Sequence, residues 1–203
     1  VSDPSRVLTT IYNINNSNEN IRTCIVKSLG EVENPSKYLL ELIVRRLNVR
    51  GGTQRQATEL SRELNKLGHQ VKLYTFLYSP ADCFPELLNG LDVVSLNYYP
   101  RYPNYFLNYF FENRTCRKLA KMVDKDTEIL NPHDQISYRV AAYYKKDVKN
   151  IPSVWMSNDL PTKLFSFWKE IQSSPGYSAS FFKKLLWRVL DWYEIKKFIN
   201  PQD

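Results

Sequence analysis

Two adjacent glycines are the residues of this chain best suited to bind a phosphate. Gly51 and Gly52 follow a strand-like apolar run, and Arg55 falls in the first turn of the helical pattern after them. Such a turn leaves the first backbone N–H groups of a helix open to an anion, and the helix dipole favours negative charge there. We predict a phosphate-binding loop; a plain tight turn with a solvent-facing Arg55 is the alternative. A dinucleotide fingerprint and a P-loop are excluded, because neither motif occurs at these glycines.

Polar residues also follow two later strand-like segments. His133 and Asp134 come after one of them, and Asn158 and Asp159 come after the next. Because parallel strands present their carboxyl ends to the ligand cleft, we predict His133 and Asp134 as catalytic candidates. A helix cap is the alternative role for Asp134, and an Asx turn is the alternative for Asn158 and Asp159.

The segments that must position these residues alternate between two periods. Short apolar runs predict strands, and apolar residues that recur every three to four positions predict helices. Strands are predicted at 38–44, 71–75, 91–96, 127–130 and 153–156, and helices at 57–67, 105–123, 136–146 and 181–199. This order predicts an α/β domain over residues 37–203, with a Rossmann-like parallel sheet and helices on both faces. Residues 1–36 are rich in Asn and form a separate segment with no predicted fold.

Composition restricts the partners. The chain has 203 residues and a net charge of +7 at pH 7, which favours an anionic partner. Nucleic acid is not expected, because the basic residues are mixed with acidic ones and no nucleic-acid module is present. Cys24, Cys83 and Cys116 are widely spaced, which predicts reduced thiols and a cytoplasmic protein without a metal site.

Aromatic and basic residues are interleaved in residues 98–121, a stretch that includes Arg101. Rings suit the headgroup region of a bilayer and cations suit anionic lipid, so this stretch predicts peripheral attachment to an anionic membrane surface. An ordinary helix with its apolar stripe in the core is the alternative. We prefer that alternative for residues 181–199, where Val189 and Trp192 fall on the predicted buried stripe.

Several motifs in order resemble a known family. The glycine loop with Arg55, the helix ending in Leu67-Gly68-His69 and the later polar turns are similar to the retaining glycosyltransferases of family 4. Further segments resemble the α-mannosyltransferases of lipid-linked oligosaccharide synthesis, namely Cys83-Phe84-Pro85-Glu86, Tyr99-Pro100-Arg101, Asp134-Gln135, Asn158-Asp159-Leu160-Pro161 and Trp187-Arg188-x-x-Asp191-Trp192-x-Glu194.

The resemblance implies a GT-B fold, in which two Rossmann-like domains face a cleft. It implies metal-independent, retaining transfer of a hexose, such as mannose, from a nucleotide sugar without a cofactor. Gly51, Gly52 and Arg55 would contact the donor diphosphate, and His133 and Asp134 would serve the reaction. Arg101, Asn158 and Asp159 would lie on the side of a lipid-linked or polysaccharide acceptor.

In this resemblance the donor-binding domain carries a Glu-x7-Glu motif, and residues 37–203 contain none. We therefore expect the chain to be the acceptor-side half of an enzyme, inactive alone, that works with a donor-binding domain or subunit. A non-catalytic basic and aromatic module that docks on membranes or on a partner subunit is the alternative function. We expect a peripheral, cytoplasmic location in either case.

Overall fold

The alternating periods of the sequence produce alternating strands and helices in the computed structural model of the chain. The structure describes residues 37–134, 136–156, 188–189 and 192–199, with only the backbone at 105 and 106. The elements are β1 (Leu39–Leu47), α1 (Gly52–Lys66), β2 (Gln70–Tyr78), a 3-10 turn (Pro80–Asp82), α2 (Pro85–Leu88), β3 (Asp92–Ser95), α3 (Tyr105–Ala120), β4 (Ile129–His133), α4 (Ser137–Asp147) and a π-helical turn (Ile195–Ile199).

The four strands form one parallel sheet in the order β3-β2-β1-β4. In the centre, Leu42 of β1 pairs with Leu73 of β2 and with Asn131 of β4. All carboxyl ends of these strands therefore meet at one edge of the sheet, and the two central strands bring the longest apolar runs into the interior.

Helices cover both faces of this sheet. On one face, α1 packs on β1 and β2 through a buried stripe, made of Ala57, Leu60 and Leu64 against Leu40, Leu42 and Leu73. On the other face, α3 and α4 bury a second cluster, which includes Cys116, Leu119, Val140 and Tyr144 against Ile43, Tyr74 and Phe76. The predicted Rossmann-like α/β fold with helices on both faces is thus confirmed.

The end of α1 is fixed by a glycine in the left-handed region. Gly68 has φ +90°, and its N–H donates to the carbonyl of Asn65, while the N–H of His69 donates to that of Leu64. A glycine at this position ends helices because it accepts the left-handed conformation without strain. The chain can then return at once into β2.

The boundaries of one strand differ from those predicted, because its pairing with β1 decides where it begins and ends. We predicted residues 127–130, but β4 runs Ile129–His133 and includes Pro132. Pro132 pairs in register with Ile43, and its carbonyl accepts the N–H of Met156 at 2.8 Å. Proline is unfavourable in a strand interior by local propensity, so the long-range pairing with β1 decided this boundary. The predicted fifth strand is present as two isolated parallel bridges, Leu130 to Ser153 and His133 to Met156.

The apolar stripe predicted for the final helix is wrong at Val189 and Trp192, whereas Ile199 of the same stripe packs against a buried core cluster. Val189 and Trp192 are 54% and 60% exposed, whereas Glu194 is buried. Residues two apart on a helix point in nearly opposite directions, so burying Glu194 turns Trp192 outward. The carboxylate of Glu194 is held inside by Tyr109 and Tyr138, and this polar anchoring overrode the hydrophobic pattern.

Two of the cysteines lie in the described residues. Cys83 and Cys116 are buried free thiols, as predicted, and Cys24 lies outside the described part of the chain. Within the described ranges, we find no helix that combines the length and the apolar character needed to cross a membrane.

A carboxyl group is buried at the amino edge of the sheet. Glu41 is 3% exposed, and its Oε2 has no hydrogen-bond partner among the described residues. Burial, with repulsion from the Asp124 carboxylate, raises the pKa of Glu41 from 4.5 to about 8. The folded protein therefore keeps a proton at pH 7 that the unfolded chain has released.

We expect Glu41→Gln to abolish a pH dependence of stability. The folded state holds the proton up to about pH 8 and the unfolded state releases it near pH 4.5. Wild-type stability should therefore fall by about 2 kcal/mol relative to the glutamine variant between pH 6 and pH 8. Urea denaturation of both proteins across this range measures the difference. A constant difference across the range would contradict the raised pKa.

Candidate functional site

The carboxyl edge of the sheet collects most of the residues that the sequence singled out. β1 ends near Arg45 and Arg46 and leads to the glycine loop, and β4 ends at His133 and Asp134. Asp134 connects the two strands, because its Oδ2 accepts the backbone N–H of Arg45 at 2.6 Å. This edge is where α/β folds bind ligands, at the carboxyl ends of parallel strands.

The glycine loop leads directly into α1, as predicted. Gly51 is the extended N-cap residue, with no side-chain cap, and no acidic residue lies in the first turn. Gly52 is the first helical residue, and a Cβ built on it would meet nothing within 4 Å. A Cβ on Gly51 would lie 2.4 Å from Gln54 Oε1, so this side chain covers Gly51. The approach to the backbone at Gly52 is open to a ligand.

Arg55 does not point at the loop in this structure. Its Nε lies 3.0 Å from Glu59 Oε1, one turn further along α1, and its side chain is 65% exposed. Exposed pairs of this kind contribute at most about 1 kcal/mol, so releasing Arg55 toward an anion would cost little. Its contact with a diphosphate stays a prediction.

A cavity of about 550 Å³ opens at the same edge of the sheet. Three arginines line it, two from the end of β1 and one from the loop after β3, namely Arg45, Arg46 and Arg101. Arg45 lies over the ring of Tyr99, 4.7 Å from the centroid, which fixes its direction. The sequence analysis put Arg101 on the acceptor side but did not single out Arg45 and Arg46, although consecutive arginines at the carboxyl end of a strand are visible in the sequence.

The opposite wall of this cavity is polar and tightly hydrogen-bonded. Glu112 Oε1 accepts the hydroxyl of Tyr99 at 2.5 Å and the amide of Asn108 at 2.8 Å. Asn108 Oδ1 in turn accepts the N–H of Tyr102 at 3.1 Å. Burial and the Glu112 carboxylate raise the pKa of Tyr99, so its hydroxyl remains a donor near neutral pH. The loop after β3 is thus held in place by α3.

Asp134 caps α4, as the alternative interpretation predicted. Its Oδ1 accepts the N–H groups of Ile136 at 3.1 Å and Ser137 at 3.0 Å, and its φ of 136° is unusual for a residue with a side chain. Burial raises the pKa of Asp134, and the backbone N–H bonds oppose that shift. Its carboxylate is therefore committed to backbone donors, and a catalytic role for it stays a prediction.

His133 ends β4 and is completely buried. Its Nε2 lies 2.6 Å from Asn131 Oδ1, and its Nδ1 has no hydrogen-bond partner among the described residues. Burial lowers the pKa of His133 to about 3, so the ring is neutral at physiological pH. A neutral, enclosed imidazole can position a neighbouring group but is not exposed to a solvent-borne substrate in this structure. Its predicted catalytic role remains a prediction.

The remaining predicted acceptor residues, Asn158 and Asp159, lie outside the described residues. Among the residues that are described, no group of three or more His, Cys, Asp or Glu side chains is arranged to hold a metal ion.

Comparison with known proteins agrees with this geometry. A search of curated proteins finds no match to the chain. The sequence profile of Glycosyltransferase Family 4 matches residues 50–201. This span contains the glycine loop, the loop after β3 that carries Arg101, and the end of β4. Because the match covers most of the chain, this protein belongs to Glycosyltransferase Family 4.

Proposed function

We propose that this chain is the acceptor-side domain of a retaining hexosyltransferase whose acceptor carries a lipid-linked phosphate or diphosphate. Mannose from a nucleotide sugar is the proposed donor group, in line with the resemblance to lipid-linked oligosaccharide mannosyltransferases. The observation that carries the proposal is the cavity lined by Arg45, Arg46 and Arg101. A donor-binding domain or subunit would complete the cleft.

The charge of this cavity favours a phosphate over a neutral saccharide. Guanidinium groups form paired, charge-assisted hydrogen bonds to phosphate oxygens, and three arginines line this cavity. Among the described residues that line the cavity, Glu112 is the one acidic residue, and its carboxylate is engaged by Tyr99, Asn108 and Arg139. The electrostatic balance is therefore positive.

The donor side of the proposal uses the glycine loop. A leaving diphosphate gains negative charge during transfer, and preorganised N–H donors stabilise that charge. The uncovered backbone at Gly52 and the start of α1 supply such donors without a side chain in the way. Metal-independent transfer without a cofactor remains part of the proposal.

Binding of inorganic pyrophosphate tests the acceptor site directly. We expect Arg46→Gln and Arg101→Gln each to weaken its affinity about tenfold, the loss of one charge-assisted contact. Isothermal titration calorimetry at low salt measures this, and Arg117→Gln, on α3 and bonded to Asp147, is the matched control. Binding that survives both cavity variants, or that is found only for neutral oligosaccharides, would contradict a phosphate-binding cavity.

An exposed aromatic face supports the proposed membrane attachment. Its large side chains are Tyr98, Tyr102, Leu107 and Phe110, with exposures from 38% to 61%. Leu107 and Phe110 belong to α3, and Arg114 and Lys118 lie exposed on the same helix. Rings and cations side by side suit an anionic headgroup layer, where a lipid-linked acceptor would be presented.

We expect the pure chain to co-sediment with anionic vesicles, less strongly as salt rises, because salt screens charge over a Debye length of about 8 Å at physiological ionic strength. Replacing Arg114 and Lys118 with Gln should weaken binding several-fold. The matched control replaces Arg55 and Lys66 with Gln on α1, which removes equal charge from the opposite face of the sheet. Equal binding to neutral vesicles would rule out the electrostatic contribution.

A further inference from the structure

A buried ion cluster connects three separate elements beneath the arginine-lined cavity. Arg139 of α4 is 8% exposed, and its Nε donates to Glu194 near the C-terminal end of the chain. Its Nη1 lies 3.5 Å from Oε2 of Glu112 on α3. Burial by itself lowers the pKa of Arg139, but attraction to Glu194 more than offsets this effect, so the pKa is raised and the guanidinium stays charged.

The same Glu112 side chain holds the wall of the cavity with its other oxygen. Oε1 accepts Tyr99 and Asn108, and Asn108 accepts the N–H of Tyr102. One carboxylate thus faces the ion cluster on one side and the loop of residues 99–102 on the other. A continuous chain of polar contacts runs from Glu194 through Arg139 and Glu112 to that loop.

We propose that Glu194 is a positioning residue for the arginine-lined cavity, acting through Arg139 and Glu112 on the loop of residues 99–102. A buried guanidinium must be neutralised, and here two carboxylates share that task. Without the Glu194 charge, Arg139 has to draw closer to Glu112. Glu112 then moves relative to Tyr99 and Asn108, and the loop loses its anchor.

This link gives the C-terminal segment a function beyond packing. When residues 192–199 are docked on α4, the loop that carries Arg101 is held against α3. When they are not docked, the cavity wall loosens. That the cavity binds the phosphate of an acceptor rests on the proposed function. The coupling of Glu194 to the loop of residues 99–102 can be measured without any ligand.

Hydrogen exchange of the Tyr102 amide tests the coupling, because this N–H is bonded to Asn108. We expect Glu194→Gln to accelerate its exchange at least tenfold, and Glu112→Gln at least as much. Amides of the central strands β1 and β2 report global unfolding and correct for changes in overall stability.

The matched control is Tyr109→Phe. This change removes a 2.7 Å bond to Glu194 Oε2 but keeps the ring beneath Arg139, 4.6 Å from the guanidinium carbon. We expect the control to leave Tyr102 exchange within about twofold of wild type. If circular dichroism shows that Glu194→Gln does not fold, Arg139→Lys is used in its place. This change keeps the positive charge but loses the planar guanidinium group with its several N–H donors, and we expect the same result.

Two outcomes would overturn the proposal. Unchanged Tyr102 exchange in Glu194→Gln, with fast exchange in Glu112→Gln, would show that Glu112 acts alone. Equal acceleration in all variants, the control included, would show a general loosening. Pyrophosphate titration separates the two proposals, since we expect its dissociation constant to rise three- to tenfold in Glu194→Gln. Failure of wild type to bind pyrophosphate would remove the proposed acceptor site and leave the exchange result intact.

Discussion

Gly52→Val should reduce the proposed hexosyl transfer about 100-fold or more while the protein stays folded. The backbone at Gly52 is uncovered, and a branched side chain there would keep a diphosphate from the N–H groups of α1. The expected loss is that of a preorganised anion donor. Stability should change little, because Gly52 lies outside the left-handed region and its Cβ would meet nothing within 4 Å.

The measurement pairs a transfer assay, in the chain combined with the proposed donor-binding domain or subunit, with the melting temperature of the same variant. Gly68→Ala is the contrasting control, since Gly68 has φ +90° at the opposite edge of the sheet. That change should lower stability by roughly 1–3 kcal/mol and leave transfer by the folded protein unchanged. Arg55→Ala should resemble Gly52→Val with a smaller loss. A folded Gly52→Val enzyme with the parental rate would show that the glycine pair is only a turn.

Arg139→Met should destabilise the fold by about 3–5 kcal/mol, because it leaves two carboxylates buried without their cation. Glu112 and Glu194 have side chains only 12% and 7% exposed, so water cannot replace the guanidinium. The change also removes the cation that lies over the ring of Tyr109. Urea denaturation, followed by circular dichroism, gives the difference from the shift in midpoint.

The same substitution at an exposed ion pair is the control. Arg117 contacts Asp147 at 2.6 Å with its side chain 56% exposed, and Arg117→Met should cost no more than about 1 kcal/mol. Adding Glu112→Gln and Glu194→Gln to Arg139→Met should restore part of the lost stability, because no buried charge is then left unpaired. Equal losses of stability in the Arg117 and Arg139 variants would mean that the buried ion cluster contributes no more to the free energy of unfolding than an exposed ion pair.

Local spacing in the sequence was enough to predict the scaffold of this protein. The apolar stripe through Leu60 and Leu64, ended by Gly68, predicted α1, and the glycine pair predicted where it begins. These features depend on contacts within one or two turns, whose periods are visible in the chain itself. The family resemblance and the fold class followed from the order of such segments.

The sequence did not show which strands pair in the sheet or which distant side chains contact each other. The boundary of β4 depended on pairing with β1, and the orientation of Trp192 depended on where Glu194 is anchored. His133 was expected in the open cleft after a strand, and it is instead the last residue of β4 and fully buried. In each case a long-range contact overruled a local preference.

The sequence by itself determined β1, β2, α1 and the glycine loop, because each follows from residues a few positions apart. Only the tertiary structure decided which polar groups meet. The ion pair of Arg139 and Glu194 joins residues 55 positions apart, and the bond from the backbone N–H of Arg45 to the Asp134 carboxylate joins residues 89 apart. No periodicity relates such pairs, and they come together because packing the helices on a parallel sheet leaves buried polar groups that must find partners where they lie.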